Sequence, residues 1–188
     1  RRYEECPKEI IRYAEFPADV RAEIDAALDG GYEADRVYLQ EAMGVDRSYV
    51  SFEGAYYEAT VDSDGDRERL TLRRIEPKAL PRPRPVSVEQ TRDGERTIEI
   101  EVVAEDGTVL LEERRELHPG GDVEFGRVRR VGTHELRATV SEGEEIETEA
   151  TETVRIDESH FDVLVVVEPG DVFVTGTVAD LGECRYEE

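Results

Sequence analysis

The sequence predicts a small α+β domain followed by an all-β domain, and three observations carry that prediction. Residues 76–85 read Glu-Pro-Lys-Ala-Leu-Pro-Arg-Pro-Arg-Pro, and prolines so dense, with fixed φ and no N–H to donate, suit a semi-rigid linker. Before this stretch lie every tyrosine except Tyr186 and one amphipathic helical pattern. After it, apolar residues recur with period two, as in half-buried strands. The expected organisation is a small α+β domain over 1–76, a proline-rich linker over 77–85 and a β domain over 86–188. Each half is long enough to bury a modest core.

Within the first domain, Ile10-Ile11-Arg12-Tyr13-Ala14-Glu15-Phe16 is rich in β-formers and predicts a strand. Pro17 opens a helix whose positive end is suited by Asp19 and Glu23 and whose stop is Gly30-Gly31. Val20, Ile24, Ala27 and Leu28 fall on one face of that helix, which must be buried. Tyr38 to Met43 fits either a short helix or an irregular strand. Strands over Ser48–Phe52 and Ala55–Val61 flank Glu53-Gly54, which has the form of a two-residue hairpin turn. A third strand is expected over Arg69–Ile75. The result is a small antiparallel sheet with one helix across a face.

Beyond the linker, Val86–Gln90 is a first strand, and Ile98, Ile100 and Val102 alternate with Glu99 and Glu101 in a second. Glu105-Asp106-Gly107-Thr108 turns the chain into Val109–Leu117, and His118-Pro119-Gly120-Gly121 breaks it before Val123-Glu124-Phe125. Leu136, Ala138 and Val140 share a face of the strand Thr133–Val140. Glu145–Ile156 alternates less cleanly, as an edge strand blunted by charge does. Val163–Val167, apolar on both faces, suits a covered strand, and Pro169-Gly170 returns it as Val172–Val178. Seven or eight strands at this spacing predict an immunoglobulin-like or fibronectin-like sandwich.

Charge narrows the function classes. A formal net charge of -23 provides no basic stripe for phosphate, so nucleic acid is not an expected partner, and anionic membrane surfaces are disfavoured as well. From Ser141 onward only Arg155 and Arg185 are basic. Lysine occurs only at Lys8 and Lys78, and asparagine and tryptophan are missing. Dense carboxylates with arginine in place of lysine look like the proteins of salt-loving archaea, where molar salt shrinks the Debye length to about 3 Å. No run of about 20 apolar residues exists to span a membrane. There is no signal peptide, and the Arg1-Arg2 start is the one expected of a mature or trimmed product.

Two cysteines, Cys6 and Cys184, sit near opposite ends of the chain. One pair cannot make a four-ligand zinc site. Free thiols are one reading. Lipid modification is another, although Tyr3-Glu4-Glu5 lacks the small apolar residues of a lipobox. The sharper expectation is a Cys6–Cys184 disulfide, as in exported proteins.

Little else promises chemistry. Asp62-Ser63-Asp64-Gly65-Asp66 alternates carboxylates as a calcium loop does. It departs from that pattern, with glycine at the fourth position and Arg73 where a bidentate glutamate belongs. A solvated hairpin tip is the plainer expectation, and no metal site or cofactor is assigned. Tyr13, Tyr32, Tyr38, Tyr49, Tyr56 and Tyr57 either line a carbohydrate or peptide groove or form the core and its rim. His118, His134 and His160 show no ligand spacing and are expected at the surface or rim. No nucleophile elbow or phosphate cradle is present, and no enzyme is expected.

The run Leu117-His118-Pro119-Gly120-Gly121-Asp122-Val123-Glu124-Phe125, followed by Val131-Gly132-Thr133-His134-Glu135-Leu136, resembles immunoglobulin-like modules in surface proteins of haloarchaea. His134 stands where those modules usually carry tyrosine. The Cys6-Pro7 start with its strand, helix and hairpin is similar to a small uncharacterised domain of haloarchaeal exported proteins and lipoproteins. These resemblances carry no catalytic residues and imply an extracellular or cell-surface location. Two functional classes follow: a monomeric accessory or binding module for a protein or surface polymer, or a structural subunit of a filament, coat or virion joined through sandwich edge strands.

Overall fold

The computed structural model describes residues 3–186; Arg1, Arg2, Glu187 and Glu188, and with them the Arg1-Arg2 start, lie outside the described residues. It divides into two units, one of Arg1–Arg82 with Leu181–Glu188 and a second of Pro83–Asp180. The chain therefore crosses between units twice, and the second unit is an insertion within the first.

In the first unit the elements are β1 (Ile10–Arg12), a 3-10 turn (Tyr13–Glu15), α1 (Ala18–Leu28), β2 (Tyr32–Ala34), α2 (Leu39–Ala42), β3 (Tyr49–Phe52), β4 (Ala55–Asp64) and β5 (Arg67–Arg74). The sheet order is β1-β3-β4-β5-β2. It is mixed where an antiparallel sheet was expected, because β1 pairs with β3 in parallel after a crossover through α1, β2 and α2. The strand expected through Phe16 stops at Arg12, where the 3-10 turn begins. The hairpin turn does form at Glu53-Gly54, with φ of 48° and 76°. Positive φ at both central residues gives the turn a twist that matches the flanking strands.

Val20, Ile24 and Ala27 of α1 pack into one core with Ile11, Val50 and Leu70 of the sheet. Glu23 does not serve the positive end of the helix as expected. It is 3% exposed, on the buried face, and its carboxylate accepts the backbone N–H groups of Tyr38 and Leu39 at 3.0 and 2.9 Å. Those are orphan donors at the start of α2, so a buried acid replaces a side-chain cap.

The stretch expected as a linker over 77–85 is mostly strand. β6 runs Ala79–Gln90 without a break. Only Val86 to Gln90 pair with the later strand β12 (Val163–Glu168), so Pro81, Pro83 and Pro85 owe that ladder no donor. Proline's extended bias thus lengthens a strand here.

The second unit continues with β7 (Arg96–Ala104), β8 (Val109–Leu117), β9 (Gly121–Arg130), β10 (Gly132–Glu142), β11 (Glu145–Ile156), β12 and β13 (Asp171–Thr175). Two four-stranded sheets result, β11-β10-β7-β8 and β13-β12-β6-β9. Each strand near the middle of a sheet buries alternate residues, such as Ile98, Ile100 and Val102 on β7 and Leu136, Ala138 and Val140 on β10. β11 is an edge strand, and β12 lies inside its sheet, paired antiparallel with β13 and parallel with β6. β8 lies against β9, and β11 against β13. The last strand ends at Thr175, short of Val178, because Gly176 and Thr177 turn away over Asp162, whose carboxylate accepts the Thr177 N–H and hydroxyl.

The C-terminal residues do not stay with the β domain, as a boundary of 86–188 required. Residues 181–186 return to the first unit, where the pairing partner of Cys184 lies.

Candidate functional site

The most elaborated constellation in the first unit gathers around that returning tail. The segment before β1 is held by backbone: the Cys6 N–H donates to the Ala42 carbonyl at 3.0 Å, and Cys6 forms a parallel bridge with Met43. Cys6 and Cys184 are joined in a disulfide with their Cα atoms 5.6 Å apart. Both thiols are thereby consumed, leaving neither as nucleophile or metal ligand.

Glu15, at the end of the 3-10 turn, ties three segments together. One carboxylate oxygen accepts from Lys8 Nζ at 2.8 Å and from the Cys184 N–H at 3.1 Å. The other lies 3.1 Å from Arg12 Nε. Lys8 is itself buried, so its ammonium and the Glu15 carboxylate offset each other's desolvation.

Two residues further on, Tyr186 anchors the tail. Its hydroxyl donates to the Ala42 carbonyl at 3.0 Å, the carbonyl that also receives Cys6 N–H. Its ring stands edge-on to Tyr3 at 6.0 Å and stacks on Phe16 at 6.0 Å, and Tyr3 is in turn edge-on to Tyr38 at 6.3 Å. Such ring pairs contribute about 0.5–1.5 kcal/mol each beyond their burial. Burial, and then the Glu15 carboxylate, push the Tyr186 phenol well above the usual tyrosine range, so it remains a neutral donor. Beside the disulfide a cavity of about 460 Å³ is lined by Glu5, Pro7, Lys8, Leu181, Glu183 and Arg185 among others.

The tyrosines weighed for a groove belong to the core and its rim. Tyr49 and Tyr56 are buried, and Tyr13, Tyr32, Tyr38 and Tyr57 pack half-buried against the core cluster. The acidic stretch Asp62 to Asp66 is a continuation of the β4–β5 hairpin. Asp62 pairs across from Arg69 and Asp64 from Arg67, so the carboxylates alternate along a ladder in place of encircling a point. Among the described residues no group of three or more His, Cys, Asp or Glu side chains is set to hold a metal.

The histidines are dispersed. His118 is exposed near Glu95, and His160 Nδ1 lies 2.6 Å from Asp157. His134, expected at the surface or rim, is buried at 3% exposure, with Nε2 2.9 Å from the Arg130 carbonyl. It sits on the inward face of β10 in phase with Leu136, and the alternation alone predicts that.

In the second unit the comparable feature is Arg92, in the turn between β6 and β7. Its guanidinium is buried and donates to the Glu168 carbonyl at 2.6 Å, Thr148 Oγ1 at 2.9 Å and Glu147 Oε2 at 3.0 Å. Arg96 Nε reaches the same Glu147 oxygen at 2.8 Å. One arginine thus ties the β6–β7 turn to β11 and to the β12–β13 turn. The Arg96 guanidinium first, and Arg92 with it, hold the Glu147 carboxyl below its ordinary value against the opposing effect of burial. No sequence signal distinguishes Arg92 from the other arginines; Tyr186 had one, as the single tyrosine beyond residue 57.

No helix among the described residues is long and apolar enough to cross a membrane. No curated protein matches the chain. Residues 94–180, which run from the β6–β7 turn to the end of the second unit, match the family model of the Halobacterial Ig-like domain.

Proposed function

We propose that the chain is a non-enzymatic accessory or binding protein at the extracellular face of a halophilic archaeon, carrying an immunoglobulin-like β-sandwich for a protein or surface-polymer partner. The observation that carries this reading is the match of residues 94–180 to the Halobacterial Ig-like domain. Two features support it. A net charge of -23 with two lysines suits molar salt, and a disulfide suits an oxidising compartment.

A monomer is favoured over a structural subunit of a filament or coat. The sheet edges β8 and β9 lie against each other, as do β11 and β13, and edge pairing with a neighbour needs an open edge. The test is protease shaving of intact cells in molar salt, in a haloarchaeal host expressing the protein from its natural gene. Loss of the protein from intact cells is the expected result, and full protection until lysis would overturn the reading. Light scattering over a hundredfold range of concentration should give a constant monomer mass; a mass that grows with concentration would favour the assembly.

A further inference from the structure

We propose that the Cys6–Cys184 bond is a tension bypass: load along the chain crosses the sulfur bridge, and the strands and helices of both units are excluded from the load path. The bond joins residues separated by 178 positions. A force pulling on the segments before Cys6 and after Cys184 passes from Cys6 through sulfur to Cys184. All of β1 to β13 lies inside the closed loop and has no tension across it.

The second unit is built in a way that needs this protection. Its two connections leave at Pro83 and Asp180. Ser87 pairs with Leu164, and Leu164 pairs with Thr175, so these three residues lie side by side across β6, β12 and β13. The strand that enters from Pro83 and the strand that leaves toward Asp180 are thus both attached at one end of the same sheet. Force applied at those two points pulls across the ladder and loads its hydrogen bonds one after another, beginning with the Leu164–Thr175 end of β13. A sheet loaded from opposite ends would share the load among all of its bonds at once. Pulled through Pro83 and Asp180, this unit opens like a zipper.

The tail could not hold by itself. Without the disulfide, residues 181–186 are kept on the first unit by the Tyr186 ring contacts and hydroxyl bond and by the Cys184 N–H. Those contacts peel sequentially, and the load then passes to the second unit at Asp180. The bypass draws on the surface reading only for a source of tension.

The test is single-molecule pulling of the full chain between two handle domains fused at its ends, in molar salt. Oxidised protein is expected to give no lengthening beyond that of the handles. With reductant, or in the C6S/C184S double variant, the released loop of 178 residues should add on the order of 600 Å of contour at about 3.4 Å per residue. A step longer than about 50 Å from oxidised protein would overturn the proposal, and so would reduced protein that lengthens no more than oxidised. The oxidised arm decides the matter even if the double variant fails to fold. Failure here would leave the cell-shaving result untouched, and a cytosolic location would leave the bypass intact.

Discussion

Reduction of Cys6–Cys184 should destabilise the first unit by about 4–5 kcal/mol and leave the second unit's own stability unchanged. On the chain-entropy account, closing a loop of 178 residues restricts the unfolded chain by about 5 kcal/mol. The second unit, while folded, remains compact inside that loop, so the flexible part of an unfolded first unit is only about 80 residues long. The dependence is logarithmic, and the figure falls only to about 4.5 kcal/mol. A domain with a typical margin of about 5–15 kcal/mol would be left near its threshold. The two units can be read separately, because all eight tyrosines lie in the first unit and the chain has no tryptophan. Tyrosine fluorescence therefore reports the first unit, and far-UV circular dichroism reports the sheets of both. With an m-value near 1.5 kcal/mol/M, reductant should lower the urea midpoint by fluorescence by about 3 M. A fluorescence midpoint that reductant does not move would refute the reasoning. So would a loss of the same size in the dichroism transition of the second unit, since the loop inside that unit is not closed by the bond. Two titratable thiols in the denatured, unreduced protein would remove the premise.

Three further outcomes are expected. Arg92→Met should cost the second unit about 2–4 kcal/mol, because it removes a buried guanidinium that donates to the Glu168 carbonyl, the Thr148 hydroxyl and the Glu147 carboxylate; dichroism should register the loss and tyrosine fluorescence should not. Glu23 in the first unit and Glu147 in the second should contribute to acid response with opposite sign. Burial, partly offset by the Tyr38 and Leu39 N–H groups, raises the Glu23 carboxyl above its ordinary 4.5, so its contribution is favourable at low pH and is lost as pH climbs from there through the folded value, a trend that Glu23→Gln should abolish in fluorescence-detected melts. Glu147 is lowered by Arg96 and Arg92, so its contribution is present above about 4.5 and is lost as pH falls through the folded value, which Arg96→Met should weaken in dichroism-detected melts. Finally, a fragment of residues 94–180 should remain unfolded by dichroism while one of 83–180 folds, because β6 lies between β12 and β9 and buries Val86 and Val88; a folded 94–180 fragment would show β6 to be dispensable.

Where the second unit was concerned, period two made most strands legible: the alternation of Ile98, Ile100 and Val102 is a local property, and burial follows it residue for residue. The short pieces of the first unit were harder to read. β2 is three residues long and carries Tyr-Glu-Ala, and it exists because β5 offers an edge to Tyr32, Glu33 and Ala34. Nothing in those three residues announces a partner more than thirty positions away. β1 looked antiparallel because its neighbours did, but strand direction is decided by the crossover, which the local sequence does not encode.

The prolines at 81, 83 and 85 illustrate a different limit. Extended backbone without donors describes both a linker and a stretch of strand whose prolines face no ladder acceptor. What separates the two is Leu80, fully buried, and the place of β6 between β12 and β9; both depend on residues far away in the chain. The clasp has the same character. Cys6 and Cys184 could be paired on paper, but that reading placed the bond between two consecutive domains. Tyr186 settles where the tail belongs: a lone aromatic in an acidic tail gains little in water, and here it finds Tyr3, Phe16 and the Ala42 carbonyl together. Once the tail lies with the first unit, the second becomes an insertion, and the disulfide no longer links neighbouring domains. It closes the first unit's chain on either side of the insertion, and a bond that adds only entropy to stability acquires a mechanical consequence.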